Sequence, residues 1–321
     1  MSAGLLSVTI PVFNEAGNLP ELRERLQAAL DALGRPYEVV FVNDGSSDGT
    51  EAWLDAASAQ DKRIKAVHFR RNFGQTAAMM AGIHFASGEI IVPMDGDLQN
   101  DPADIARLIA KLDEGYDVVS GWRRDRKDNA VSRTLPSRVA NWLISRISGV
   151  RLHDYGCSLK AYRSDIVKNV KLYGEMHRFI PIYATWEGAR VTEVPVTHHP
   201  RVHGASKYGA ERVVKVVLDL IVVQFLARYA HRPIYLFGGV GIGAIVLAVL
   251  AGLWAVYLKS FENTSFIQTP LPLLVVMLAV TGGMSILMGL LAELNMRTYY
   301  ESQGKSVYLV KRTTNVDEGL G

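Results

Sequence analysis

The chain has 321 residues, of which 49% are apolar and 21% charged, with a net charge of +3. It is long enough for one large or two modest domains, too apolar for an ordinary soluble enzyme and too charged for a protein lying wholly in a membrane. The slight basic bias falls short of a nucleic-acid binder's footprint, so no nucleic-acid partner is expected. The lone Cys157 excludes an internal disulfide and suits a reducing compartment.

The first two hundred or so residues alternate strand and helix patterns. Strands are predicted at Ser7–Pro11, Tyr37–Asn43, Ile64–Phe69, Glu89–Met94 and Asp117–Gly121. Amphipathic stretches at Leu19–Leu33, Thr50–Gln60, Gln75–Ala86 and Ala103–Glu114 lie between them. Runs such as Glu38-Val-Val-Phe-Val42 are continuously apolar, as in a parallel sheet covered by helices on both faces. This rhythm implies an open α/β sheet, with ligands at the carboxyl ends of the strands. The opening run has neither a basic region nor a long apolar stretch, so this domain is expected on the cytoplasmic side.

A basic loop, Pro200–Gly209, is followed by the apolar stretch Glu211–Ala230, which carries Arg212, Lys215 and Arg228 and suits the membrane surface. Residues 234–258 and 271–292 each supply the roughly 20 apolar residues that a spanning helix needs. Both are rich in glycine, which lets helices approach closely in lipid. Arg228, His231 and Arg232 precede the first span, and Arg297, Lys305, Lys311 and Arg312 follow the second. That asymmetry places both termini in the cytoplasm. The expected organisation is a catalytic domain over 1–210, an interfacial helix over 211–232, a two-helix anchor over 233–293 and a cytoplasmic tail over 294–321. Ser306–Val310 reads as a strand able to dock on another subunit's sheet, so a homo-oligomer, such as a tetramer, is expected.

The polar residues after each strand carry the chemistry. Asp44 at the tip of the second strand can accept hydrogen bonds from a nucleobase or ribose, while Ser47 or Asp48 reads as a helix cap. Asp95-Gly-Asp-Leu-Gln99 leaves an apolar strand with its carboxylates separated by one glycine, an arrangement whose repulsion a cation offsets. Hard oxygen ligands of this kind suit Mg²⁺ or Mn²⁺ holding a diphosphate. Asp101 and Asp104 read as helix-starting residues, and Asp95, Asp97 and Gln99 as the site. Arg123, Arg124, Arg126, Lys127, Arg133 and Arg138 crowd the next loop and suit an anionic second substrate. Asp154 lies in a short polar turn, and Arg201, Ser206 and Lys207 can contact phosphate.

Pro11-Val-Phe-Asn-Glu15, Val42-Asn-Asp-Gly-Ser46, Arg71-Asn-Phe-Gly-Gln75, Asp95-Gly-Asp-Leu-Gln99, Ser120-Gly-Trp-Arg123, Asp154-Tyr-Gly-Cys-Ser158 and Arg201-Val-His-Gly-Ala-Ser-Lys207 occur in this order. In them the chain resembles the family 2 glycosyltransferases of the polyprenyl-phosphate branch, including bacterial bactoprenol glucosyltransferases and dolichol-phosphate mannose synthase. The resemblance implies a GT-A fold, a Rossmann-like catalytic domain followed by interfacial and transmembrane helices. It also implies a multi-pass enzyme of the bacterial inner membrane, moving a hexose from a UDP-sugar to a polyprenyl phosphate with inversion. Glucose is the first choice of sugar, helped by Gly174-Glu-Met-His-Arg-Phe179, with aminoarabinose, N-acetylhexosamine or mannose as alternatives. By the same resemblance, Pro11, Asn14, Glu15, Asp44, Gln75 and Asp95 belong to the donor site, and Asp97 and Gln99 to the metal. Arg123, Arg133, Arg201, Ser206 and Lys207 would hold phosphate, and Asp95 and Asp154 would sit at the reaction centre. A polysaccharide synthase would share the catalytic domain but needs more membrane helices and a Gln-x-x-Arg-Trp motif, which the chain lacks.

Overall fold

The computed structural model describes residues 4–124, most of 141–170, 176–200 and 308–316, with scattered positions between 277 and 298. In chain order the described elements are β1 (Leu6–Val12), α1 (Leu19–Ala32), β2 (Tyr37–Asn43), α2 (Thr50–Gln60), β3 (Ile64–Phe69), α3 (Gln75–Phe85), β4 (Ile90–Pro93), α4 (Ile105–Asp113), β5 (Val118–Trp122), β6 (Lys160–Arg163), α5 (Ser164–Val167), α6 (Ile180–Trp186), β7 (Val191–Pro195) and β8 (Val310–Thr314). Every predicted strand and helix of the first 120 residues is present, with ends displaced by a residue or two.

The strands form one eight-stranded sheet in the order β7-β5-β6-β4-β1-β2-β3-β8. β1 pairs in parallel with β2 and β4, and β2 with β3. The sheet is mixed rather than wholly parallel, because β6 runs antiparallel between β4 and β5, and β8 antiparallel to β3. β2 shows why its residues read as a strand buried on both faces. Val39 and Phe41 join a core with α1 and α2 on one face, while Val40 and Val42 join α3 on the other. The order of connection reverses at β1, so the carboxyl ends of β1, β2 and β4 surround a switch point.

The chain divides into two compact units, Met1–Leu220 with Ser306–Gly321, and Ile221–Lys305. The predicted interfacial segment and first span lie outside the described residues. Within the second predicted span, Met277, Val280, Met284 and Leu291 are helical and exposed. Among the described residues no helix is long and apolar enough to cross a membrane.

The tail strand falls at Val310–Thr314, a few residues beyond the predicted Ser306–Val310, and pairs with β3 of its own chain. Tyr308 stacks on Phe69 at a centroid separation of 5.0 Å, and its hydroxyl lies 2.9 Å from His84 Nδ1. Arg312 donates to Asp55 and Glu51 of α2, and Asn315 Nδ2 donates to the carbonyls of Ser58 and Ile64. These bonds occupy an edge that would otherwise present unpaired backbone groups.

Deleting Ser306–Gly321 should therefore destabilise the sheet. Removing the Tyr308 ring alone costs ~3–5 kcal/mol by analogy with other buried aromatic deletions. At roughly 2–4 °C per kcal/mol, a thermal melt should fall by at least ~5 °C. An unchanged melting temperature would contradict this role for β8.

Candidate active site

The loops at the switch point are joined by short polar bonds. After β1, Asn14 adopts φ 58°, a left-handed conformation that Asn tolerates better than most residues. This lets its backbone N–H donate to Ser46 Oγ at 2.9 Å while its Oδ1 accepts from the Ser47 N–H at 2.8 Å. Glu15 N donates to Thr50 Oγ1, and Asn18 Nδ2 donates to the Glu15 carboxylate. Asp48 accepts from the N–H groups of Thr50 and Ala16 and so serves the start of α2, as its sequence position suggested. Pro11 ends this group, paired in register with Val42.

Asp44 is 3% exposed and faces the loop before α3. Its two oxygens accept from the N–H groups of Phe73 at 2.7 Å and Gly74 at 3.0 Å. Burial pushes its carboxyl above the usual range, against the pull of these donors. The neighbouring Gly45 has φ 69°, and a Cβ there would lie 2.5 Å from the Arg71 carbonyl carbon. The Gly45 position thus requires glycine twice over, by conformation and by space.

The next residues of α3 continue the same scaffold. Gln75 Nε2 donates to Asp95 Oδ1 at 2.8 Å, and Thr76 Oγ1 lies 2.8 Å from His177 Nδ1. Asp44, Asp95 and the Met176–Phe179 turn are therefore referred to successive residues at the start of one helix. Burial pushes His177 down to about 3, so its imidazole is neutral at physiological pH.

Asp95 and Asp97 emerge from β4 as the sequence predicted. Gly96 between them packs under β1, and a Cβ there would approach Val12 Cγ1 to 3.0 Å. Asp97 Oδ1 accepts from the Gln99 N–H at 3.2 Å. Leu98 has φ 60° with its side chain buried, a strained conformation of the kind that clusters at functional sites. Among the described residues no three His, Cys, Asp or Glu side chains converge as a metal cage. Paired carboxylates at a strand exit still fit Mg²⁺ or Mn²⁺, which complete their shells with water and substrate phosphate rather than with protein alone. Asp101 caps the Pro102–Asp104 turn by accepting from Ala103 N–H. Asp104 follows but accepts instead from Thr197 N–H, beyond β7.

Two further links carry the Asp95–Gln99 turn to the other half of the sheet. Asn100 Nδ2 donates to Ser158 Oγ at 2.9 Å, and His199 N donates to the Gln99 carbonyl at 2.9 Å. Beside Ser158, Asp154 meets Arg123 in a bidentate pair, with Nε to Oδ2 at 2.7 Å and Nη2 to Oδ1 at 2.9 Å. The Arg123 side chain is 15% exposed and that of Asp154 5%. Gly156 N also donates to Asp154 Oδ1 at 3.0 Å. Burial opposes the Arg123 charge, but the Asp154 carboxylate outweighs it and raises the guanidinium pKa. Trp122 stacks on His153 at 4.3 Å, so the residues preceding each partner are stacked together.

The sequence grouped Arg123 with the phosphate and Asp154 with the reaction centre; the structure joins them to each other. Arg133, Arg201, Ser206 and Lys207 lie outside the described residues. His177, Thr76 and Ser158 were not predicted as site residues, since their contacts span 101 and 58 positions and leave no local pattern; Lys160, whose partners lie only three and five residues away, was not predicted either.

The chain matches the family described as Glycosyl transferase family 2 over residues 7–171. It is 43% identical to a dodecaprenyl-phosphate galacturonate synthase of Rhizobium johnstonii over 96% of this chain and 92% of that protein. It is 38% identical to an undecaprenyl-phosphate 4-deoxy-4-formamido-L-arabinose transferase of Pseudomonas aeruginosa over 96% and 90% of the two chains. Glucosyl-3-phosphoglycerate synthase from Mycobacterium tuberculosis, solved with Mn²⁺, UDP and phosphoglyceric acid, aligns with TM-score 0.53 at 16% identity, over 70% of this chain and 78% of that one. The α/β sheet with its switch-point site is thus a GT-A fold. The chain belongs to glycosyl transferase family 2, in its polyprenyl-phosphate glycosyltransferase branch.

His177 supplies a pH test of this scaffold. An unfolded imidazole titrates near ~6.5, whereas the folded one does so at about 3. Between those values the unfolded chain binds the additional proton. The stability from neutral His177 is therefore full above about pH 6.5 and drains as pH falls toward 3. His177→Gln should flatten the acid limb of unfolding free energy against pH by up to ~1.4 kcal/mol per unit. Parallel limbs in urea titrations of the two proteins would contradict the assignment.

Proposed function

We propose that this protein transfers a sugar from a UDP-sugar to the phosphate of a polyprenyl lipid, inverting the anomeric carbon. The observation that carries the reading is the bracing of the Asp95–Gln99 turn, through Asn100 and Ser158, against the turn of Asp154, which in turn holds Arg123 at the end of β5. A carboxylate pair suited to a metal–diphosphate and a guanidinium suited to a phosphate thus share one rigid frame. The names of the relatives agree with a polyprenyl-phosphate acceptor.

Pro11, Asn14, Glu15 and Asp44 would frame the nucleoside, Asp44 chiefly by ordering the Phe73–Gly74 backbone. Asp97 and Gln99 would hold Mg²⁺ or Mn²⁺, with Asp95 oriented toward the donor by Gln75. A bound cation would stabilise the charge of the departing nucleoside diphosphate. The acceptor is a phosphate monoester with a second pKa near ~6, already ionised at neutral pH, so no strong base is required. Asp154 fits that economy of means. Its oxygens receive Arg123 and the Gly156 amide, so it aims the guanidinium rather than extracting a proton. Arg133, Arg201, Ser206 and Lys207 would complete the phosphate grip.

Glucose, the sugar suggested by resemblance, gains no support from the relatives, which are named for a galacturonate and a formamido-arabinose. A UDP-sugar of that modified kind is the proposed donor, with galacturonate first. The setting is the bacterial inner membrane, with the catalytic unit and both termini cytoplasmic. The two uncharged stretches in the sequence support this, as do the exposed apolar side chains of Met277, Val280, Met284 and Leu291, spaced along one helical face.

Mass spectrometry of products from UDP-galacturonate, UDP-4-deoxy-4-formamido-arabinose and UDP-glucose with a short polyprenyl phosphate tests this reading. Transfer should require Mg²⁺ or Mn²⁺ and stop with chelator. No lipid-linked sugar from any donor would defeat the proposal, and a preference for UDP-glucose would overturn the donor choice. Asp154→Asn should raise the acceptor KM about tenfold or more while single-turnover transfer at saturating acceptor persists; loss of chemistry with binding intact would make Asp154 the base.

A further inference from the structure

A buried lysine backs the turn that carries Asp154. Lys160 opens β6 opposite Ser120 of β5, and its residue is 3% exposed. Its Nζ donates to the carbonyl of Tyr155 at 3.2 Å and also to that of Cys157. These carbonyls flank Gly156, whose N–H donates to Asp154. The same ammonium therefore fixes the turn that aims Asp154, while β6 anchors it to the strand leading to Arg123.

We propose that Lys160 is a positioning residue for sugar transfer, tying the Asp154–Cys157 turn and adding a buried positive charge near Arg123 and Asp154. The inference rests on the glycosyltransferase reading above. The ionisable groups facing Lys160 are Cys157, Asp154 and Arg123, together with Arg178 from the Met176–Phe179 turn. Cys157 is no counter-charge, because burial pushes its thiol up to about 11. Asp154 is already matched by Arg123, so Lys160 leaves this side of the site with a positive excess suited to an arriving phosphate. Burial pushes the Lys160 amine down to about 8. A neutral amine still has hydrogens for both carbonyls. Raising the pH through about 8 therefore removes the charge while sparing the tether.

The test uses the full-length enzyme with Lys160→Met and Lys160→Arg variants, Mg²⁺, a UDP-sugar and a short polyprenyl phosphate. Wild-type kcat should fall roughly tenfold between pH 7.5 and 9.5, and Lys160→Arg should carry that limb upward, because a guanidinium keeps its charge. At pH 7.5, Lys160→Met should lose about a hundredfold in kcat with donor KM changed less than about threefold, and Lys160→Arg should recover most of it. Hydrogen exchange of peptides covering 154–160 gives a readout independent of activity. It should accelerate at least about tenfold in Lys160→Met and return toward wild type in Lys160→Arg. Unchanged exchange in Lys160→Met would overturn the tether, even if no donor were turned over. A wild-type alkaline limb that persists unmoved in Lys160→Arg would overturn the charge role. Should Lys160→Met fail to fold, Lys160→Arg and the wild-type profile still decide the charge role. Absence of transfer by wild type with ordinary UDP binding would count against the functional reading instead.

Discussion

Burying Arg123 against Asp154 strips water from both charges, a cost that an ion pair recovers only with good geometry and further hydrogen bonds. Here the guanidinium fork meets the carboxylate through two parallel bonds, and the Gly156 amide occupies one oxygen further. Neither partner can move alone without leaving a charge uncompensated. The turn around Asp154 and the exit of β5 are consequently one mechanical piece, with Lys160 tying the turn.

The opposite half of the site is organised by the start of α3 and the loop before it. Phe73 and Gly74 supply backbone donors to Asp44, Gln75 reaches Asp95, and Thr76 meets His177. Most of these contacts are single hydrogen bonds of modest net worth, but they converge on consecutive residues. A shift of this segment would disturb the Asp44 tip, the Asp95–Gln99 turn and the Met176–Phe179 turn together. Asn100 and Ser158 then join this half to the Arg123–Asp154 half. Carboxylates that repel one another are tolerable at the β4 exit because neighbouring donors and a divalent cation can offset them.

The sheet supports this arrangement by closing one of its own edges. β8 returns near the chain end to cover β3, bringing Arg312 and Asn315 against α2 and Tyr308 against Phe69. The catalytic unit is therefore discontinuous in sequence, with Ile221–Lys305 falling between β7 and β8.

The sequence by itself determined the β1–β4 framework, because long apolar runs buried on both faces leave an unmistakable local pattern. It also determined that Asp44, Asp95 and Asp97 lie at strand ends, since each follows such a run directly. β6 has four residues and β7 is only partly buried, so neither carries enough periodicity to announce its place. β8 was displaced for another reason: Val310-Lys-Arg-Thr-Thr314 has a single apolar residue, and it pairs with an edge that only the folded chain supplies. The pairing of Arg123 with Asp154, of Thr76 with His177 and of Asn100 with Ser158 was decided by tertiary structure alone. A hydrogen bond depends on approach within about 3 Å, and residues separated by 31, 101 or 58 positions acquire that proximity only when the sheet order brings their loops together.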